Sequence, residues 1–233
     1  MTSGPEIRWH RHRDLAALTA AVLERLGQHA QRAIAARQSF HVVLSGGSTP
    51  RPLYGAAVGI ETDWSCWHIY FADERCLPRG HAERNDRMAS EAWLDRMPIP
   101  PGQIHPIPAE LGPEAAAEAY RRTLASVGPF DLVLLGLGED GHTASLFPGH
   151  DPGTGAGAPA ALPVTDAPKP PPQRVSLSAA RLADARAVEV LVSGADKAEA
   201  VRRLRDGEAL PIRAVTPAAG LDVHVDAAAA RWI

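Results

Sequence analysis

The sequence predicts an α/β fold, one domain spanning residues 1–233 in which a mostly parallel central sheet carries helices on both faces. Three observations carry this. Apolar runs of strand length recur at Phe40–Leu44, Trp67–Phe71 and residues 131–135. Each run breaks off abruptly into glycines or charges. Stretches of helical periodicity separate the runs, and strands that alternate with helices form parallel sheets. With 233 residues, 45% of them hydrophobic, the chain is long enough and apolar enough to bury one sizeable core.

Each element has its own warrant. Residues 14–38 are rich in Ala and Leu, with Leu15, Leu18, Val22, Leu26 and Ile34 at helical spacing and Asp14 as the N-cap. The 39 residues before Phe40 are therefore expected to form one long helix, with His10 and His12 solvated. A second helix follows Phe40–Leu44 and runs to about Gly59, with Thr49 as N-cap and Pro50 at its first position. Residues 83–97 are expected to be helical, ended by Pro98, Pro100 and Pro101, and residues 113–127 form a further helix opened by Pro113. Residues 148–173 are the one long irregular stretch. Loops of that length are functional or disordered, and its place suggests a lid over a site. Residues 174–178 and 187–192 alternate as strands, Gly194 opens a helix, and residues 212–215 and 223–225 read as a final strand region. The whole corresponds to an open, Rossmann-like sheet.

Three turns follow the three apolar runs, and open α/β sheets bind ligands at the carboxyl ends of their strands. After Phe40–Leu44 come Ser45, Gly46, Gly47, Ser48, Thr49 and Pro50. The glycines leave backbone amides unshielded and the hydroxyls add donors, a setting for an anion and above all a phosphate. The spacing matches neither a Walker loop nor a dinucleotide loop, so no nucleotide is inferred. After Trp67–Phe71 come Asp73, Glu74 and Arg75. Charges at a strand end are costly unless paired or bound to a ligand, and Arg75 can fork onto a phosphate or carboxylate. After residues 131–135 come Gly136, Leu137, Gly138, Glu139, Asp140, Gly141 and His142. A carboxylate two residues from an imidazole suits proton transfer near neutral pH. The alternative for this turn is an Asp that caps the next helix and a solvated His.

Taken together, Leu44 to Pro50, Asp73-Glu74-Arg75 with Asn85-Asp86 beyond, and Gly136 to Pro148 (GLGEDGHTASLFP) resemble the 6-phosphogluconolactonase family, part of a wider group that includes glucosamine-6-phosphate deaminases. The resemblance covers roughly residues 40–205. It implies hydrolysis of 6-phospho-D-glucono-1,5-lactone, a small sugar-phosphate lactone, with no cofactor and no metal. His142 is then the general base, Asp140 orients it, and Asp73 positions ring hydroxyls. Gly46, Gly47, Ser48 and Thr49 hold the phosphate with Arg75, Arg174 and Lys197 as cationic partners, and which of the three touches it stays open. A Lys in a helix's first turn opposes the usual acidic preference there, which fits a bound anion near Lys197. The deaminases carry a Glu five residues beyond the His. Here that position is Phe147, which argues against deamination. Ser145 is a weaker alternative, as a nucleophile without a triad context.

Other classes find little support. The counts of 24 basic and 27 acidic residues give a net charge of −3, with no basic bias for nucleic acid. No apolar run is long enough to span a bilayer, and residues 1–6 lack the pattern of a signal peptide, so a cytoplasmic monomer is expected. His68, His81, His105, His142 and His150 show no metal-ligand spacing. Cys66 and Cys76 flank a strand that holds them apart, so no disulfide is expected. Cys76 reads as a packing residue, with a lowered thiol pKa beside Arg75 as the alternative.

Overall fold

The computed structural model describes residues 6–155 and 157–233. The expectation about a signal peptide falls largely on residues 1–5, outside the described residues. The strands are β1 (Ile7–His12), β2 (Phe40–Leu44), β3 (Trp67–Phe71), β4 (Asp73–Arg75), β5 (Leu132–Gly136), β6 (Ala161–Val164), β7 (Arg174–Leu177), β8 (Val188–Val192) and β9 (Leu221–Asp226). The helices are α1 (Leu15–Arg37), α2 (Pro50–Ala57), α3 (Asn85–Ala92), α4 (Pro113–Leu124), α5 (Ala179–Ala183), α6 (Ala198–Arg205) and α7 (Pro211–Ala214). Six strands form one parallel sheet in the order β1-β9-β8-β5-β2-β3. A three-stranded antiparallel sheet, β4-β7-β6, stands beside its carboxyl edge.

The central strands are apolar because both faces are covered. In β2, β3, β5 and β8 nearly every side chain is buried. Helix α1 lies across the sheet with Leu18, Val22, Leu26, Ala30 and Ala33 buried along one stripe. Each fully buried Leu there stabilises the fold by about 1.5–3 kcal/mol. The Asp14 carboxylate caps α1 by accepting from the Ala17 amide at 2.8 Å, as expected.

The structure departs from the sequence reading in several places; one is the helix expected over residues 83–97, which ends at Ala92 and is followed by a separate turn at Leu94–Arg96. The amino-terminal segment is not all helix, since residues 7–12 form strand β1, paired in parallel with β9. Its alternating Arg8, His10 and His12 hid the strand. They are not solvated side chains: Arg8 Nη2 donates to Asp222 at 2.7 Å, His10 Nε2 lies 2.6 Å from Asp222, and His12 Nε2 lies 3.0 Å from His224 Nδ1. The charged triplet Asp73-Glu74-Arg75 is a strand rather than a loop, because β7 supplies the pairing that its composition does not advertise. Residues 148–173 contain β6, an edge strand that tolerates Pro163. The Ala179 and Ala180 amides also donate to the Pro152 and Gly153 carbonyls, which ties the start of this stretch to the body. Residues 211–214 are a helical turn opened by Pro211, not a strand.

Along β2 and β3, His41 stacks on His68 with centroids 4.5 Å apart, and His105 stacks on Tyr70 at 4.6 Å. Burial, with His68 beside it, pushes His41 down to about 4, and burial also lowers His68 and His105. Among the described residues no group of three or more His, Cys, Asp or Glu side chains is placed to hold a metal ion. Cys66 and Cys76 are free. Burial pushes the Cys76 thiol up to about 11, which makes it a packing residue rather than an activated thiol.

Candidate active site

The carboxyl ends of β2, β3 and β5, joined by β4 and β7, enclose one polar crevice. Gly46, Gly47, Ser48, Thr49, Asp73, Arg75, His142, Arg174 and Lys197 all line it. Asp140 stands behind His142, with its Oδ1 2.5 Å from Nδ1 of the ring and accepting from the His142 amide at 3.2 Å. The three sequence-predicted turns therefore converge, as the fold class requires.

The β5 turn is built for close approach. The Gly138 amide donates to the His142 carbonyl at 2.7 Å, and a Cβ on Gly138 would sit 2.1 Å from His142 Nδ1, so only glycine fits beneath the ring. Thr143 Oγ1 donates back to the Gly136 carbonyl at 2.9 Å. Phe147 is buried against the His142 ring at 4.9 Å. Because Asp140 accepts at Nδ1, that nitrogen carries the ring proton and Nε2 remains as the basic position. Burial alone would raise the Asp140 carboxyl, but the His142 ring and amide, with Lys169, outweigh it and hold the group below its ordinary range.

The β2 turn meets α3 with similar tightness. A Cβ on Gly46 would fall 1.8 Å from Asn85 Oδ1. Asn85 in turn donates to the Asp73 carbonyl at 2.9 Å and to Asp73 Oδ1 at 3.0 Å. Thr49 occupies the cap position of α2 but makes no capping bond. Its backbone is already helical, which carries the hydroxyl away from the first-turn amides, so the N-cap expectation fails.

Glu74 points away from the crevice. It is fully buried and accepts from the amides of Arg75, Asn85 and Asp86 at 2.8 Å each. Burial pushes its carboxyl up to about 8, with Asp86 adding to the rise and the amide donors opposing it. Its role is to hold β4 against the start of α3, where Arg84 adds a buried fork onto Asp86.

The cations differ in what they already hold. Arg75 and Arg174 are directly opposite each other on β4 and β7. Like charges so placed repel, and an anion in the crevice relieves that repulsion. Arg75 Nη1 donates to the Glu83 carbonyl at 2.5 Å while its buried Nε has no partner. Arg174 donates through Nε to Pro171 and through Nη2 to Lys169 and Pro170, so one edge of its guanidinium braces that loop. Burial lowers its pKa from the ordinary arginine value. Lys197 pairs with the exposed Asp196 at 2.9 Å.

Sequence reasoning assigned no role to Ser45 and Asn85, both of which line the crevice. The buried Ser45 hydroxyl has no partner. Its signal was its place at the head of the Gly-rich turn; Asn85, 39 positions beyond Gly46 in the chain, had only its place in the family pattern. Ser145 does not line the crevice. Its Oγ donates to Asp73 Oδ2 at 2.6 Å, so the nucleophile alternative has no support.

A sequence profile described as glucosamine-6-phosphate isomerases/6-phosphogluconolactonase matches residues 13–224. The chain belongs to this family. It is 40% identical to the 6-phosphogluconolactonase of Streptomyces coelicolor over 225 residues, covering 89% of this chain and 85% of that protein. It is 38% identical to that of Mycobacterium leprae, covering 89% and 88%. The crystal structure of 6-phosphogluconolactonase from Thermotoga maritima superposes with a TM-score of 0.87 at 27% identity, covering 95% of this chain and all of that one. The six-stranded parallel sheet is thus the family's α/β fold, and no helix among the described residues is long and apolar enough to cross a membrane.

Proposed function

We propose that this chain hydrolyses 6-phospho-D-glucono-1,5-lactone to 6-phospho-D-gluconate, the second step of the oxidative pentose phosphate pathway, as a cytoplasmic, single-domain monomer. The observation that carries the reading is the Asp140–His142 pair facing a cradle of three cations across one crevice. The substrate's two ends need those two things: a grip for a dianion and a base for water.

In this reading the Gly46 and Gly47 amides, the Ser48 and Thr49 hydroxyls and the cations Arg75, Arg174 and Lys197 hold the phosphate. Arginine grips in a fork and lysine as a point charge. Asp73 accepts from ring hydroxyls. His142 Nε2 takes a proton from water as the water oxygen adds to the lactone carbonyl. Loop amides or Arg75 stabilise the oxyanion. As the tetrahedral intermediate collapses, the ring C–O bond breaks and the leaving oxygen takes the proton back from His142. Asp140 steadies the transient imidazolium. A positioned base of this kind supplies about 10²–10⁴-fold in rate. Phe147, packed on the imidazole where the deaminases carry an acid, leaves no group for sugar ring opening there.

The test is the decay of freshly generated lactone, with and without protein, in EDTA. Decay faster than the spontaneous rate is expected. A rate equal to the spontaneous one would overturn the reading.

A further inference from the structure

Asp73 is a carboxylate in a nearly water-free wall of the crevice, 5% exposed. Both of its oxygens are gripped by side chains. Asn85 Nδ2 donates to Oδ1 at 3.0 Å, and Ser145 Oγ donates to Oδ2 at 2.6 Å. Ser145 is itself 2% exposed and has no face on the crevice. Its amide donates to Ser176 Oγ at 3.2 Å, and that hydroxyl donates to the Leu177 carbonyl at 3.0 Å. Ser145 also rides on the turn that carries His142. The turn closes through paired amide bonds between Thr143 and Leu146, with Ala144 in the left-handed region at φ 48°. One buried hydroxyl therefore joins the His142 turn to a carboxylate on another strand.

We propose that Ser145 is a positioning residue, which aims the Asp73 carboxylate at the substrate and fixes it relative to the turn that holds His142. The proposal rests on the lactonase reading given above. A hydroxyl bound to a carboxylate is held roughly twice as strongly as a neutral pair. With both oxygens anchored, the carboxylate plane is fixed, and the remaining lone pairs only accept, which suits sugar hydroxyls. With Ser145 gone, one anchor is lost, and the broad χ2 torsion of an aspartate lets the plane swing. A misplacement of ~1 Å near reacting groups costs about 100-fold.

The experiment is a double-mutant cycle on kcat/KM for the lactone, with Ser145→Ala made in the wild type and in Asp73→Asn. We expect Ser145→Ala to lower kcat/KM by about 10- to 100-fold in the wild type and to have almost no further effect in Asp73→Asn. Ser176→Ala, which removes the acceptor for the Ser145 amide and spares the Ser145–Asp73 bond, should lower Tm without reproducing the loss. An equal loss in both backgrounds, or the full loss in Ser176→Ala, overturns the proposal. If Ser145→Ala does not fold, Ser145→Cys, with a weaker donor of similar size, takes its place in the cycle. A wild type without lactonase activity would instead overturn the functional reading, and is seen before any variant is compared.

Discussion

Two clusters of charge, one under α1 and one at the carboxyl ends of the strands, share the same sheet and behave differently. Under α1, the fully buried Glu189 accepts from Arg25 Nε at 2.7 Å and from His224 Nε2 at 2.7 Å, with His29 at 3.3 Å. Asp222 beside it takes Arg8, His10 and a second nitrogen of Arg25. Burial by itself would raise Glu189, but His224, His29 and Arg25 hold it well below the ordinary carboxylate range. In the crevice the charges are only partly spent: Lys197 pairs with the exposed Asp196, and Asp73 is held by Asn85 and Ser145, yet unused donors and acceptors remain. Arg75 Nε and Ser45 Oγ have no partner, and His142 uses one ring nitrogen of two. Charge satisfied within the fold belongs to stability, while charge left with unused donors and acceptors is available to a ligand.

Breaking one cluster should leave the other's task intact. Glu189→Gln keeps the volume but takes the carboxylate away from Arg25, His29 and His224, leaving Arg25 only its 3.3 Å contact with Asp222. Removing one partner of a buried ionic group costs about 3–5 kcal/mol, so chemical denaturation should show a loss of that size with kcat unchanged. A fall in kcat at full occupancy of the folded state would erase the distinction. Lys197→Ala touches the other cluster. Its pair with exposed Asp196 adds little stability, whereas a hydrogen bond to a dianion contributes about 1.5–3 kcal/mol. KM should therefore rise by about tenfold or more while Tm stays put. An unchanged KM would take Lys197 out of the cradle, which sharpens the choice among the three cations.

The crevice was more legible than the network, for a physical reason. The turns that line the crevice put their residues close together in the chain: Asp140 and His142 are two apart, and Gly46 to Thr49 are contiguous, so spacing exposes them. The network draws on β1, α1, β8 and β9, and its partners from β1 and α1 lie more than 150 residues away from those on β8 and β9. Nothing local marks Arg8 or His10 as paired, so the first strand was read as helix and its histidines as solvated. Asp73 to Arg75 failed differently: three charges do not read as a strand, and the pairing came from β7. The helix α1 and the parallel order were legible because periodicity and alternation are themselves local. Ser145 and Asn85 were hidden because their meaning lies in a contact with Asp73, and Ser145 is 72 positions away from it.

The most direct test of the account is kcat for lactone hydrolysis by His142→Ala beside the wild type, with Tm measured on both. The account predicts a fall of about 10²–10⁴-fold in kcat with an unchanged Tm, since the imidazole bonds only to Asp140 and supports no buried network. A kcat equal to that of the wild type would contradict it and remove the base from this crevice.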